Sequence, residues 1–144
     1  MIVSLLTREA TDFNGDYYKL TGARCEPKPV QRPHPPIMIG GTGRRRTLRS
    51  VARWAQMWDS LRATPEEWKE LKQVLHEHCE SVGRDPEEIT CSVHITWSKD
   101  DDPSRLADEA ASRFADGVDL VVFSMADPYD ASMVEPLASA LTAT

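Results

Sequence analysis

From residue 37 onward, short strand-like runs alternate four times with amphipathic stretches, and this alternation leaves the chain few architectures. The runs cover residues 37–39, 56–60, 90–97 and 118–123. Between and after them come Leu48, Val51, Ala52 and Ala55; then Trp68, Leu71, Leu75, Cys79 and Val82; then Leu106, Ala110 and Phe114; and finally Val134, Leu137 and Leu141. Steps of three and four residues place each set on one face of a helix. The order βαβαβαβα, with helical crossovers, predicts a parallel sheet with right-handed connections. Residues 37–39 and 118–123 are almost continuously apolar, the pattern of parallel strands covered on both faces. Residues 90–97 instead alternate, with Cys91, Val93, Ile95 and Trp97 on one side and Ser92, His94 and Thr96 on the other.

Start and stop signals agree with this order. Thr64-Pro65-Glu66-Glu67 combines an N-cap, a proline at the first helical position and a capping-box glutamate, and Gly83 ends the same helix. Asp85-Pro86-Glu87-Glu88 repeats the cap over a single turn, Gly117 stops the next helix, and residues 124–128 read as a loop. Ahead of residue 37 the chain is different. Residues 1–9 resemble the last turns of a helix, and Asn14-Gly15 between aromatic residues predicts a tight hairpin turn. Half of the ten prolines (Pro27, Pro29, Pro33, Pro35 and Pro36) fall between Cys25 and Pro36, which forces an extended strap.

The first apolar run ends in Gly40, Gly41, Thr42 and Gly43, and Arg44, Arg45 and Arg46 open what reads as a helix. Strand, glycine turn and helix start in that order form a place where backbone N–H groups can hold a phosphate, the alternative being a plain strand-to-helix turn. The spacing matches neither G-x-x-x-x-G-K-[ST] nor G-x-G-x-x-G, which disfavours nucleoside triphosphates and a Rossmann NAD site. Cations at a helix start oppose its dipole, so three arginines there point to a use, and Arg49 and Arg53 read as surface or salt-bridge residues.

Net charge is −6, from 17 basic and 23 acidic residues, which argues against nucleic acid or anionic membrane as a partner. No apolar run approaches the ~20 residues that span a bilayer, and the start lacks a signal peptide's basic and long apolar regions. Cys25, Cys79 and Cys91 form no C-x-x-C pair and read as reduced thiols of a cytoplasmic protein without a metal site. At 144 residues, the chain is expected to be a single domain, 1–144.

A set of segments occurs in one continuous order: Leu5-Leu6-Thr7, Phe13-x-Gly15-x-Tyr17-Tyr18, Pro27-Lys28-Pro29-Val30-Gln31, Pro33-His34-Pro35-Pro36-Ile37, Ile39-Gly40-Gly41-x-Gly43, Thr47-Leu48-Arg49 and Val51-Ala52-Arg53. Together with Trp54-Ala55-Gln56-Met57-Trp58-Asp59 they resemble the bacterial luciferase-like monooxygenase family, and within it the coenzyme F420-dependent oxidoreductase branch. Gly83-Arg84-Asp85-Pro86-Glu87-Glu88-Ile89 and Gly117-Val118-Asp119 match that family's C-terminal region in kind. The resemblance implies an α/β fold: the C-terminal half of a (β/α)8 TIM barrel, four βα units preceded by a hairpin and a Pro-rich strap. Whole barrels run to ~250 residues, and the family's N-terminal half supplies much of the ring pocket. A half barrel exposes two sheet edges, so a homodimer, or a piece cut from a longer chain, is expected.

The resemblance also implies a function: hydride transfer between F420, alternatively FMN, and a small organic substrate. Gly40, Gly41, Thr42, Gly43, Arg45 and Arg46 would hold the cofactor, an arginine meeting either its phosphate or the acidic tail of F420. Trp58 and Asp59, at the C-terminal end of a strand where barrel active sites lie, and His94, on a polar strand face, are candidates for substrate or cofactor contact. For His94 a hydrogen-bonded structural role is the plainer expectation; His34 reads as structural, His76 and His78 as exposed. No catalytic residue, Ser-His-Asp arrangement, paired-carboxylate motif or metal cluster stands out, and hydride transfer needs none because the cofactor performs the chemistry. The alternative reading is an inactive half barrel or a dimerising binding module.

Overall fold

The computed structural model describes residues 1–143. The chain divides into two compact units, Met1–Pro36 and Ile37–Thr144. In the first, α1 (Ile2–Thr7) precedes the antiparallel pair β1 (Thr11–Asn14) and β2 (Lys19–Ala23). The hairpin forms, but not through a two-residue Asn-Gly turn. Residues 15–18 make the connection, with Gly15 N donating to Tyr18 O at 2.9 Å, and Gly15 does not take the positive φ that such a turn requires. A Cβ on Gly15 would lie 2.6 Å from the Phe13 ring, so this glycine makes room for an aromatic side chain. The proline strap carries neither helix nor strand; Lys28 Nζ donates to Leu5 O and Cys25 O.

The second unit runs β3 (Met38–Gly40), α2 (Thr47–Trp54), β4 (Met57–Asp59), α3 (Pro65–Val82), β5 (Thr90–Trp97), α4 (Pro103–Ala115), β6 (Leu120–Met125) and α5 (Val134–Ala143). Its strands are parallel and lie in sequence order, β3-β4-β5-β6. Buried residues of all four helices pack on one sheet face: Leu48 and Val51 of α2, Trp68 and Leu75 of α3, Leu106 of α4 and Leu137 of α5. Sequential strands with every helix on one side make a singly wound sheet, the geometry of a barrel sector, whereas a doubly wound fold would reverse order and cover both sides. The expected α/β fold of four βα units is therefore present.

Strand register assigns the faces. Ile39, Trp58, Cys91, Val93, Ile95 and Trp97 point to the helices, and Gly40, Asp59, Ser92, His94, Thr96, Val122 and Ser124 to the opposite, open face. Two expectations fail here. Residues 37–39 and 118–123 were expected as strands covered on both faces, but β3 and β6 are the outer strands and are only half covered, with Met38 45% and Leu120 38% exposed. Neither carries a helix on its open side. At the helix ends, Val82, Phe114, Val134 and Leu141 are also exposed rather than buried.

Local signals hold α3 in place. Thr64 Oγ1 accepts from Glu67 N at 3.2 Å while Glu67 Oε2 accepts from Thr64 N at 2.9 Å, and Gly83 closes the helix with φ 69°. Arg84 donates to Val51 O and Ala52 O, placing a cation at the C-terminus of α2. Among the described residues no helix is long and apolar enough to cross a membrane.

The three cysteines are unpaired. Burial against the sheet pushes the Cys91 thiol up to about 12, and burial also raises that of Cys79. Both therefore stay protonated at pH 8 and inert to thiol reagents, while the half-buried Cys25 is accessible. Titration of the native protein with a chromogenic disulfide at pH 8 is expected to modify Cys25 alone, and the other two after unfolding.

Candidate functional site

The C-terminal ends of β3 and β4 carry the glycine loop. Gly41 N donates to Asp59 O at 2.9 Å, and Trp58 Nε1 donates to Gly41 O at 2.9 Å, so β4 clamps the loop from both sides of one residue. Gly41 has φ 124°, a conformation that only glycine adopts without strain. A Cβ on Gly43 would lie 2.6 Å from Thr47 Oγ1 and 3.3 Å from Thr47 Cβ, so the loop folds directly onto the helix start.

The three arginines do not open the helix. They form a turn, and α2 begins at Thr47 with Arg46 as a helical N-cap that makes no side-chain cap bond. Arginine has no acceptor, so it cannot satisfy the amides ahead of it. By contrast α3 and α4 are capped by Thr64 and Asp102. Among the described residues, the N–H groups of Thr42, Gly43, Arg44, Arg45 and Arg46 have no hydrogen-bond partner. An open cavity of about 930 Å³ lies over Gly43, Arg44, Arg45, Arg46, Thr47 and Arg49, with no carboxylate in its lining. Next to it, a cavity of about 310 Å³ is bounded by Thr42, Arg44, Leu61, Arg62 and the first turns of α3. Arg44 is tethered there, its guanidinium to Glu70 and its carbonyl to His78 Nε2 at 2.8 Å. Arg45, Arg46 and Arg49 have no ion-pair partner among the described residues. Bare amides, an uncapped helix and free guanidinium groups suit an anion.

The open face carries a second constellation. His94 Nε2 lies 2.7 Å from Asp59 Oδ2, and His94 Nδ1 lies 2.9 Å from Ser124 Oγ. The Asp59 side chain is 6% exposed and His94 31%. Asp59 also accepts from Leu61 N at 2.6 Å and from Ser92 Oγ at 3.2 Å. His94 N donates to Leu61 O at 2.7 Å, so Leu61, held at φ 60°, links the strand end of Asp59 to the backbone of His94. Positive φ costs a branched residue about 1–3 kcal/mol, and two hydrogen bonds hold this one.

The expected site residues thus separate. Gly40 ends β3, Gly41, Thr42 and Gly43 lie on the loop, Arg45 and Arg46 beside the larger cavity, and Asp59 and His94 together on the open face. Trp58 does not belong with them. It is 0% exposed on the helix face and stacks on Trp68 with ring centroids 5.3 Å apart and planes 10° apart, so it supports the loop from beneath and offers no surface to a ligand. The absence of a Ser-His-Asp arrangement is also corrected, because Asp59, His94 and Ser124 are hydrogen-bonded in a row. Ser124 was missed because the apolar run ends at Phe123. Pairing of Thr96 with Ser124 and of Trp97 with Met125 carries β6 two residues further. His76 and His78, expected exposed, are both half-buried, His78 against the carbonyl of Arg44.

The model of the luciferase-like monooxygenases matches residues 1–142. The chain belongs to that family. It is 31% identical over 129 residues to an uncharacterised protein of Mycobacterium tuberculosis, covering 86% of this chain and 40% of that one. A 38-residue stretch is 45% identical to the FMNH(2)-dependent dimethylsulfone monooxygenase of Pseudomonas putida, covering 26% of this chain and 10% of the enzyme. In fold, an F420-dependent secondary alcohol dehydrogenase, solved with an F420–acetone adduct, superposes with a TM-score of 0.76 at 13% identity, over 96% of this chain and 58% of that one. The luciferase-like chain described here therefore spans 40% of its mycobacterial relative and 58% of the dehydrogenase. Its structural neighbours and curated relatives include F420-dependent and FMN-dependent enzymes.

Proposed function

We propose that this chain holds the phosphate end of an F420 cofactor, with FMN as the alternative, in an oxidoreductase that transfers hydride to or from a small organic substrate. The observation that carries this reading is the row of unpartnered amides from Thr42 to Arg46 ahead of an uncapped helix. Gly43 lets the loop close onto Thr47 at the helix start, Arg45 and Arg46 supply charge, and the lining of the larger cavity contains no acid to repel a phosphate. When bound, the cofactor supplies or accepts the hydride; the chain's own groups bind and orient it. Three unpaired cysteines fit the cytoplasmic setting proposed for it.

Titration of the purified chain with F420 and with FMN, followed by fluorescence, tests this reading. Binding at about micromolar to tens of micromolar affinity is expected, weakened about tenfold or more in Arg46→Ala, since charge-assisted hydrogen bonds contribute about 1.5–3 kcal/mol, and weakened also in Gly43→Ala, whose Cβ would push the loop off Thr47. Silence with both cofactors at tens of micromolar sinks it. The competing reading, a half barrel that pairs with a second copy, is favoured by one observation: within its sheet each outer strand, β3 and β6, is paired along one edge only. Sedimentation would show a dimer, and a monomer that binds no cofactor would exclude both readings.

A further inference from the structure

We propose that Asp59, His94 and Ser124 form an acid–base relay for a hydroxyl-bearing substrate lying over the open face of the sheet. The inference rests on the hydride-transfer reading above and adds to it the group that handles the proton. Oxidation of an alcohol to a carbonyl releases a hydride from carbon and a proton from oxygen. The hydride goes to the deazaflavin or flavin carrier, and the proton needs an acceptor of its own.

The structure supplies one on three adjacent strands. A carboxylate only accepts hydrogen bonds, so the contact of His94 Nε2 with Asp59 Oδ2 at 2.7 Å fixes the hydrogen on Nε2. With the hydrogen on Nε2, the neutral form of the ring presents bare Nδ1 to the Ser124 hydroxyl at 2.9 Å. As the substrate O–H bond breaks, its proton passes to Ser124 Oγ, and the proton of Ser124 passes to His94 Nδ1. The imidazolium so formed faces Asp59 and returns its proton to water, which reaches the part-exposed ring. Reduction of a carbonyl runs the same transfers in reverse. Asp59 is a positioning residue. Its own geometry is fixed by Leu61 N, which donates to Oδ1, and by Ser92 Oγ, which donates to Oδ2 beside His94.

Nitrogen-15 NMR of the imidazole, on the chain without cofactor, tests the tautomer. Protonated Nε2 with bare Nδ1 is expected in the wild type and in Ser124→Ala, and a mixture in Asp59→Asn. An Nδ1–H tautomer in the wild type, or no change in Asp59→Asn, overturns the relay. In the cofactor-loaded chain with a secondary alcohol, His94→Gln and Ser124→Ala are expected to lower kcat by about 10²–10⁴-fold while leaving cofactor affinity within about twofold. Turnover of both variants at the wild-type rate overturns the relay and leaves the cofactor reading standing. Failure of the wild type to bind F420 or FMN overturns the cofactor reading and the hydride role, while the tautomer still reports the geometry. Covalent labelling of Ser124 by a fluorophosphonate overturns the relay in favour of a nucleophilic serine.

Discussion

Trp58→Ala is expected to lower the unfolding free energy by about 3–5 kcal/mol, the cost of removing a large aromatic from a packed core. Trp58 is 0% exposed and stacked on Trp68, so truncation deletes its own contacts and opens a void against a second aromatic. The loss reaches the glycine loop as well, because Trp58 Nε1 is the donor to Gly41 O. Trp58→Phe separates the two contributions. It keeps most of the apolar volume and loses the hydrogen bond, so about 1–2 kcal/mol is expected, with the loop loosened more than the core. Urea denaturation measures the first quantity, and hydrogen exchange of the Thr42 to Arg46 amides the second. A wild-type denaturation midpoint in Trp58→Ala would refute the packing argument.

The second large effect is expected from Asp59→Ala, about 2–3 kcal/mol of lost stability. Two donors lose their acceptor: Leu61 N, which has no other hydrogen-bond partner among the described residues, and His94 Nε2. Leu61 N is left unpaired in a part-buried setting, where an orphaned donor costs about 1–3 kcal/mol, while the part-exposed His94 ring loses its ion-pair partner but keeps access to water. Ser92 Oγ is less affected, because Trp58 O lies 3.3 Å away as a second acceptor. Asp59→Asn retains an acceptor for Leu61 N and is expected to lose about half as much. Thermal unfolding of the two variants side by side gives the comparison, and equal losses would mean that the bond to Leu61 N contributes nothing.

Much of this fold is legible in the sequence because its signals are local. The stripe of Trp68, Leu71, Leu75 and Cys79 needs only helical spacing, and Thr64 with Glu67 needs only the first turn of α3. Alternation along residues 90–97 places His94 on the polar face without reference to any other strand. The glycine loop is legible for the same reason: strand, turn and helix start are contiguous, and so are the amides they leave unpaired.

Local sequence specifies the order of the elements, the inward stripe of each long helix, and the glycine loop that follows β3. Which strand faces meet depends on the packing of the strands against one another. β4 is three residues long, too short for a period of two to be read, so nothing local separates Trp58 from Asp59 as the inward residue. Parallel register with β5 decides it: Trp58 pairs with Cys91 on the helix face and Asp59 with Ser92 on the open face. The same register brings together Asp59, His94 and Ser124, residues 30 or more positions apart whose meeting no spacing rule encodes. Side-chain period is a property of one strand, whereas a site built across strands depends on how hydrogen bonding aligns them.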